Sequence, residues 1–401
     1  MLSRRHLLLG SGCALAAATL RARADSAPDV TVLHATSAGF NGAAPGPVIR
    51  VRRGDEVYAR LVNDLDEPTS LHWYGVRLPN PIDGGAPLAG PPVAPGASFD
   101  YRFTVPDAGT FWYRAALHGQ QERGLYGALI VAEPVSPLVD QDRLLMFGER
   151  RSSRDGAREF TLNGAAALDI AVRANERLRL RFINASTTQM NARIENHRVV
   201  VMAIDGEPAE PFASRDGRIL LAPGNRADVF VDASLAPGSI APITFMQNSG
   251  APPAARLVYG EAPARRAPLG EPAPLPANPL PVGMDFSRAL RVALPIEGRN
   301  AAALAGMPLF SAARGRTVVM ALDNRDTGAH AVHLHGHHFR LLDRLDDGWK
   351  PYWLDTVVAE GRQVARIAFV ADNPGRWLIE QRAIDGPAAG VNWFEVKSMR
   401  R

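Results

Sequence analysis

His333-Leu334-His335 and His72-Trp73-Tyr74 are the segments of this chain best placed to do chemistry. On an extended strand, residues i and i+2 share one face, so two imidazoles at that spacing stand side by side. Imidazole nitrogen is a ready ligand for Cu(II) and Zn(II), which makes metal binding the first chemistry to consider. His330 precedes the first of these segments, and His337 and His338 follow it. These last two, and His118, are expected at the surface or in support of a ligand. His34 and His197 have no motif around them and read as structural. No thiolate can take part, because the one cysteine, Cys13, lies in an N-terminal leader. The methionines are scattered, which argues against copper loading or storage. Neither a nucleophile elbow nor a phosphate loop occurs, and Asp83-Gly84-Gly85 and Asp385-Gly386-Pro387 read as turns.

An internal repeat supplies the strands that position these groups. VRRGDEVYARLVN from Val51 realigns without a gap on VRANERLRLRFIN from Val172 and on AARGRTVVMALDN from Ala312, ending at Asn63, Asn184 and Asn324. In the middle copy Leu178, Leu180 and Phe182 alternate with Arg177, Arg179 and Arg181. That period of two predicts one face on a core and one in water. His72 and His333 each stand nine residues after the final asparagine, where the middle copy has Arg193. A metal site is therefore expected between the first and third units. A second correspondence aligns GTFWYRAA from Gly109 with GRWLIEQR from Gly375. It places Arg114 and Ala116, or Glu380 and Arg382, on one strand face turned to the same cleft.

The leader begins Ser3-Arg4-Arg5, continues as a short apolar run and ends at Ala22-Arg23-Ala24, the pattern of a twin-arginine export signal over 1–24. A periplasmic location follows as an expectation. The run is too short and too broken by glycine to span a membrane, so no transmembrane segment is expected in the mature chain. Four arginines of this leader account for the whole excess of 45 basic over 41 acidic residues. The neutral remainder offers nothing that would attract nucleic acid. Its repeats, glycines and prolines predict an all-β protein of three consecutive sandwiches over 25–135, 136–261 and 286–401, with a stiff Pro/Ala-rich linker at 262–285.

Taken in order, NGAAPGPVIRVRRGD, LHWYGVRLPNPIDGG, GTFWYRAALHGQQERGLYGALIV, HAVHLHGHHF and LDTVVAEGRQVARIAFVADNPGRW resemble the multicopper oxidases. The resemblance implies three cupredoxin-like Greek-key domains, with a trinuclear copper cluster between the first and third and a blue copper in the third. It also implies that most ligands are gone. His72 is kept, but Tyr74, Arg114 and Ala116 replace cluster histidines. His330 matches a blue-copper ligand, and His333 and His335 match cluster ligands. Glu380-Gln381-Arg382 stands for His-Cys-His, Gly386 for a later histidine and Val391 for the axial methionine. Without the thiolate, four-electron reduction of dioxygen is excluded.

The expectations are accordingly no catalytic residue and no cofactor, or at most one copper ion on His72, His333 and His335. Glu380 is expected to pair with Arg114, Arg382 or both. By likeness to copper-free cell-division members of that family, the leading reading is a non-catalytic scaffold with envelope or divisome proteins as partners. The alternative is a residual copper-binding protein or mononuclear copper oxidoreductase.

Overall fold

The computed structural model describes residues 30–117, 119–151, 158–246, 252–262, 267–297, 304, 306–343, 348–349, 352–386 and 389–398. The leader, Cys13 and His118 lie outside them. Among the described residues almost all regular structure is strand, in six sheets that form three face-to-face pairs. Each pair repeats one plan. The repeated strands Glu56–Asn63, Arg177–Asn184 and Arg316–Asn324 sit inside the first sheet of their unit. Each runs parallel to its unit's opening strand and antiparallel to a later one. The facing sheet of each unit likewise has one parallel edge pair, such as Ile49–Arg52 with Tyr126–Ala132. The expected all-β architecture of three cupredoxin-like sandwiches is what the chain adopts.

The asparagine that closes each repeat explains why that residue recurs. Asn63 donates its amide to the carbonyls of Glu67 and Val93 and accepts from Leu65 N–H. Asn184 does the same with Thr188, Leu221 and Ser186, and Asn324 with Gly328, Ala359 and Asp326. A buried side chain that satisfies three backbone groups ties the strand end to the opposite sheet, and the strand nine residues onward starts from a fixed place. Each sandwich then closes on its own apolar core, with Trp73 in the first and Trp377 in the third fully buried.

One expectation fails. The arginine face of the middle repeat is not in water: Arg177, Arg179 and Arg181 are 3%, 0% and 2% exposed. Arg179 donates to Glu133 and Asp228, and Arg181 to Asp142, Asp228 and Thr110. A period of two distinguishes the two faces of a strand but not water from a charged neighbouring domain. Here the polar face is covered by the first sandwich, whose Thr110 also donates to Asp228 at 2.6 Å. The Pro/Ala-rich stretch carries no strand over 267–289 and lies against its neighbours, burying Leu275 against Val200, Met202 and Phe230.

Removing a partner from this covered network leaves buried charge behind. Asp228→Ala should cost about 3–5 kcal/mol in chemical denaturation. Breaking the half-exposed Arg256–Asp169 pair by Asp169→Ala should leave the unfolding midpoint almost unchanged, because solvent screens it. Equal losses would show that the arginine face is wet in solution.

Candidate metal centre

Strand register brings the chemically capable residues together. In the first sandwich Leu71–Tyr74 pairs with Gly109–Ala115 so that His72 lies opposite Arg114. In the third, His330–Leu334 lies between Thr356–Ala359 and Gly375–Ala383, with His333 opposite Glu380 and Ala331 opposite Arg382. The two sheets meet at the boundary of these domains, and His72 Nε2 comes within 3.2 Å of His333 Nε2. His335 stacks on His72 with ring centroids 3.8 Å apart, and Tyr74 stacks on His333 at 3.7 Å. All three histidines are buried, and one nitrogen from each lies within 4.8 Å of the others.

The ring nitrogens on the far side decide what the near side can do. His72 Nδ1 donates to the Asp83 carbonyl at 3.1 Å, and His333 Nδ1 donates to the Asp355 carbonyl at 3.0 Å. A carbonyl only accepts, so both rings carry their proton on Nδ1. Both Nε2 lone pairs consequently face each other across 3.2 Å, an arrangement that calls for a cation or a proton between them. Burial lowers both histidines, His333 to about 4, so the rings are neutral near pH 7.

His335 behaves in the opposite way. Its Nδ1 donates to Asp83 at 2.7 Å and its Nε2 faces Glu380 Oε1 at 3.3 Å. Burial alone would lower it, but the two carboxylates outweigh that effect and raise it to about 9. As an imidazolium it has no lone pair for a metal. Arg114 pairs with Glu380, whose carboxyl is held well below the usual range because the guanidinium and His335 overcome the effect of burial. The expected closing pair is therefore present, but on Arg114 alone. Arg382 turns to Gln121 Oε1 at 3.1 Å. Between Tyr74, Arg114, Gln121, His333, Glu380 and Arg382 a cavity of about 20 Å³ remains, room for one water. Ala116 adds only a methyl group, its backbone N–H bonding Ser70.

At the position matched to blue copper, His330 Nε2 bonds Asp326 at 2.9 Å. His330 Nδ1 and the Gln381 amide nitrogen are buried without a hydrogen-bond partner among the described residues. Val391 lies opposite Glu380 in the sheet, and Gly386 follows the turn at Asp385. No sulfur ligand is present, so the residues do not fit a blue copper. Nor do they fit a trinuclear cluster, since Arg114 and charged His335 occupy the space with cations of their own. A single ion does fit the His72–His333 pair. Two nitrogens each about 2.0–2.1 Å from one ion at a tetrahedral angle lie about 3.3 Å apart.

Sequence reasoning missed the supports of this pair. Asp83, read as a turn, is 1% exposed and orients both His72 and His335. Its Asp-Gly-Gly context signals a turn so strongly that the carboxylate's second role is masked. Asp355 and Thr356 hold His333 and gave no motif at all. His337 and His338 are not at the surface. Both are buried, His337 donating to the His335 carbonyl and packing edge-on against Trp377. His34 meets Asp64 at the surface, and His197 meets Tyr259.

Three family models, each described as multicopper oxidase, match residues 23–136, 112–254 and 279–380. The multicopper oxidase MmcO of Mycobacterium tuberculosis is 29% identical over 85% of this chain and 79% of its own length. A multi-copper oxidase from Pseudomonas thermotolerans superposes with a TM-score of 0.82 at 29% identity, covering 92% of this chain and 99% of that one. Lac15 from a marine microbial metagenome gives 0.78 at 30% identity, over 92% and 100%.

Two outcomes follow from the charges at this interface. Glu380→Ala strands Arg114 in a site that excludes most water and should cost about 3–5 kcal/mol, read by denaturant unfolding. An unchanged midpoint would mean the cleft is wet. The second concerns pH in metal-free protein. His335 titrates at about 9 folded against an ordinary 6.5, so its contribution is complete below about pH 6.5 and is lost as pH rises to 9. His333, at about 4 when folded, instead removes stability as pH falls from about 6.5 to 4. His335→Gln should flatten the alkaline limb of the melting-temperature profile and leave the acid limb in place.

Proposed function

The chain belongs to the multicopper oxidase family, and we propose that it is a member that has given up dioxygen reduction and acts by binding. The observation that carries this reading is the salt bridge between Arg114 and Glu380 at former ligand positions, with Gln381 standing where electron entry requires a thiolate. Guanidinium does not deprotonate to make way for metal, so the cavity's positive charge is permanent. The paired-arginine leader supports export to the periplasm, and among the described residues no helix is long and apolar enough to cross a membrane. Loss of ligands on an intact three-domain frame supports a scaffold role at the envelope, with division or envelope proteins as partners.

A specific observation favours a second reading, that the scaffold also binds one copper. His72 and His333 present facing lone pairs, and the Asp83 and Asp355 carbonyls fix the tautomer of each ring. Bound there, Cu(II) would supply a single Lewis-acid or one-electron centre, and His72 and His333 would hold it. His335 would not ligate, and its role is to carry a proton between Asp83 and Glu380. Tyr74 and Trp112, stacked 4.7 Å apart, close the face of the pair toward the second domain.

Copper-loaded, dialysed protein should show no intense thiolate-to-copper charge-transfer band and should not oxidise phenols above a free-copper control. Turnover abolished by His330→Ala would overturn the non-oxidase reading. Calorimetry should find one Cu(II) per chain, lost in both His72→Ala and His333→Ala. Three ions per chain would refute the ligand assignment, and binding that survives both substitutions would place the copper elsewhere.

A further inference from the structure

A second group of ligand-type side chains lies where all three domains meet, apart from the His72–His333 pair. Asp107 precedes the strand Gly109–Ala115, Glu207 opens the strand Glu207–Ala213 of the middle domain, and His338 follows the histidine-rich strand of the third. They are 2%, 1% and 5% exposed, and one ligand atom from each lies within 4.8 Å of the others. His338 Nε2 stands 3.6 Å from Glu207 Oε1. We propose that Asp107, Glu207 and His338 bind a divalent transition-metal ion of the zinc type, one that clamps the three domains together.

Unsatisfied atoms point to it. Among the described residues, Glu207 Oε1 and both ring nitrogens of His338 are buried with no hydrogen-bond partner, a condition rare in folded proteins unless an ion or ordered water completes it. The bonds that do exist leave these atoms free and hold the groups behind them in place. Asn278 of the Pro/Ala-rich stretch donates to Glu207 Oε2 at 2.9 Å, so Oε1 is the oxygen left facing His338. Arg77 donates to both Asp107 oxygens, at 2.6 and 2.7 Å, and also reaches the Pro279 carbonyl. Each carboxylate oxygen keeps a second lone pair. Such outer partners orient the ligands of a metal site.

The charges agree with the geometry. Burial pushes His338 down, so its ring is neutral and offers a lone pair. Burial and the facing Asp107 push Glu207 well above the usual carboxylate range, as expected when two acids share a site without a cation between them. Asp355 Oδ2, 3.8 Å from His338 Nε2, adds further negative potential. One imidazole nitrogen with two carboxylate oxygens suits zinc and its neighbours. Calcium would require six or more oxygens, and magnesium prefers to keep its waters.

The test uses full-length mature protein produced with zinc in the medium, dialysed, and measured for bound metal. One zinc per chain is expected in the wild-type protein and also in the His72→Ala/His333→Ala double variant. Glu207→Gln and His338→Gln, which keep size and polarity, should each lose it. Absence of zinc from wild-type protein overturns the proposal and leaves Glu207 as a carboxylic acid holding its own proton. Zinc retained in both single variants also overturns it. Should either variant fail to fold, X-ray absorption on the unmodified zinc protein decides: one imidazole with oxygen donors supports the site, and two or more imidazoles assign the ion to the His72–His333 pair instead.

Discussion

The Arg226 guanidinium has no solvent exposure and donates to both oxygens of Asp355, at 2.9 Å from Nη1 and 2.6 Å from Nη2. Arg226 lies in the middle domain and Asp355 in the third, and the same guanidinium donates to Thr110 of the first at 3.3 Å. One cation therefore touches all three sandwiches. Asp205 sits beside it, accepting from Arg226 N–H and from the backbone of Asp355 and Thr356. Buried pairs of this kind need not add net stability over an apolar filling, but they fix one arrangement, because any sliding strands a charge. Gly75 shows how tightly the pair is enclosed. A Cβ there would lie 2.1 Å from Arg226 Nη2 and 2.5 Å from Asp355 Oδ2, so this position with positive φ admits no side chain.

Fixing Asp355 fixes the candidate metal centre. Its carbonyl receives the His333 proton, and its carboxylate receives the Thr356 hydroxyl at 2.7 Å. The middle domain supplies no ligand to the His72–His333 pair, yet through Arg226 it determines where one of the two imidazoles points. On the other side Asp83 performs that service for His72 and accepts a hydrogen bond from His335 Nδ1 as well. The charges around the His72–His333 pair balance one another from within. Arg114 and the His335 imidazolium are matched by Glu380 and Asp83, and the interface between first and third domains closes on these charges.

The fold was legible because its repeat was. Asn63, Asn184 and Asn324 end aligned segments and make the same three hydrogen bonds, so one local rule applied three times gave three sandwiches. The histidines of the centre were legible for a similar reason, since strand period and the nine-residue offset placed His72 and His333 on matching strands. What escaped the sequence is everything that depends on which domain covers which. Arg179 and Arg181 alternate with apolar residues as solvent-facing side chains do, and only the docked first domain shows that their face is interior. Asp83 carries a turn signal and a buried contact together, and the turn signal is local while the contact is not. Asp107, Glu207 and His338 belong to three different sandwiches, and no pattern within one element relates them.

Asp355 also connects the two polar centres. Its Oδ1 lies 3.3 Å from His333 Nδ1, and its Oδ2 faces Arg226 and lies 3.8 Å from His338 Nε2. Added positive charge on the His338 side draws on the same carboxylate that supports His333. The basicity of His333, and with it the affinity of the His72–His333 pair for a cation, depends on how much of that charge is left to it. Any such coupling is reciprocal, because both centres act on one group whose position is set by Arg226. A substitution at either centre is therefore not confined to its own domain. The middle sandwich thus adds, through Arg226, a link to both outer domains beside their direct contact at His72 and His333.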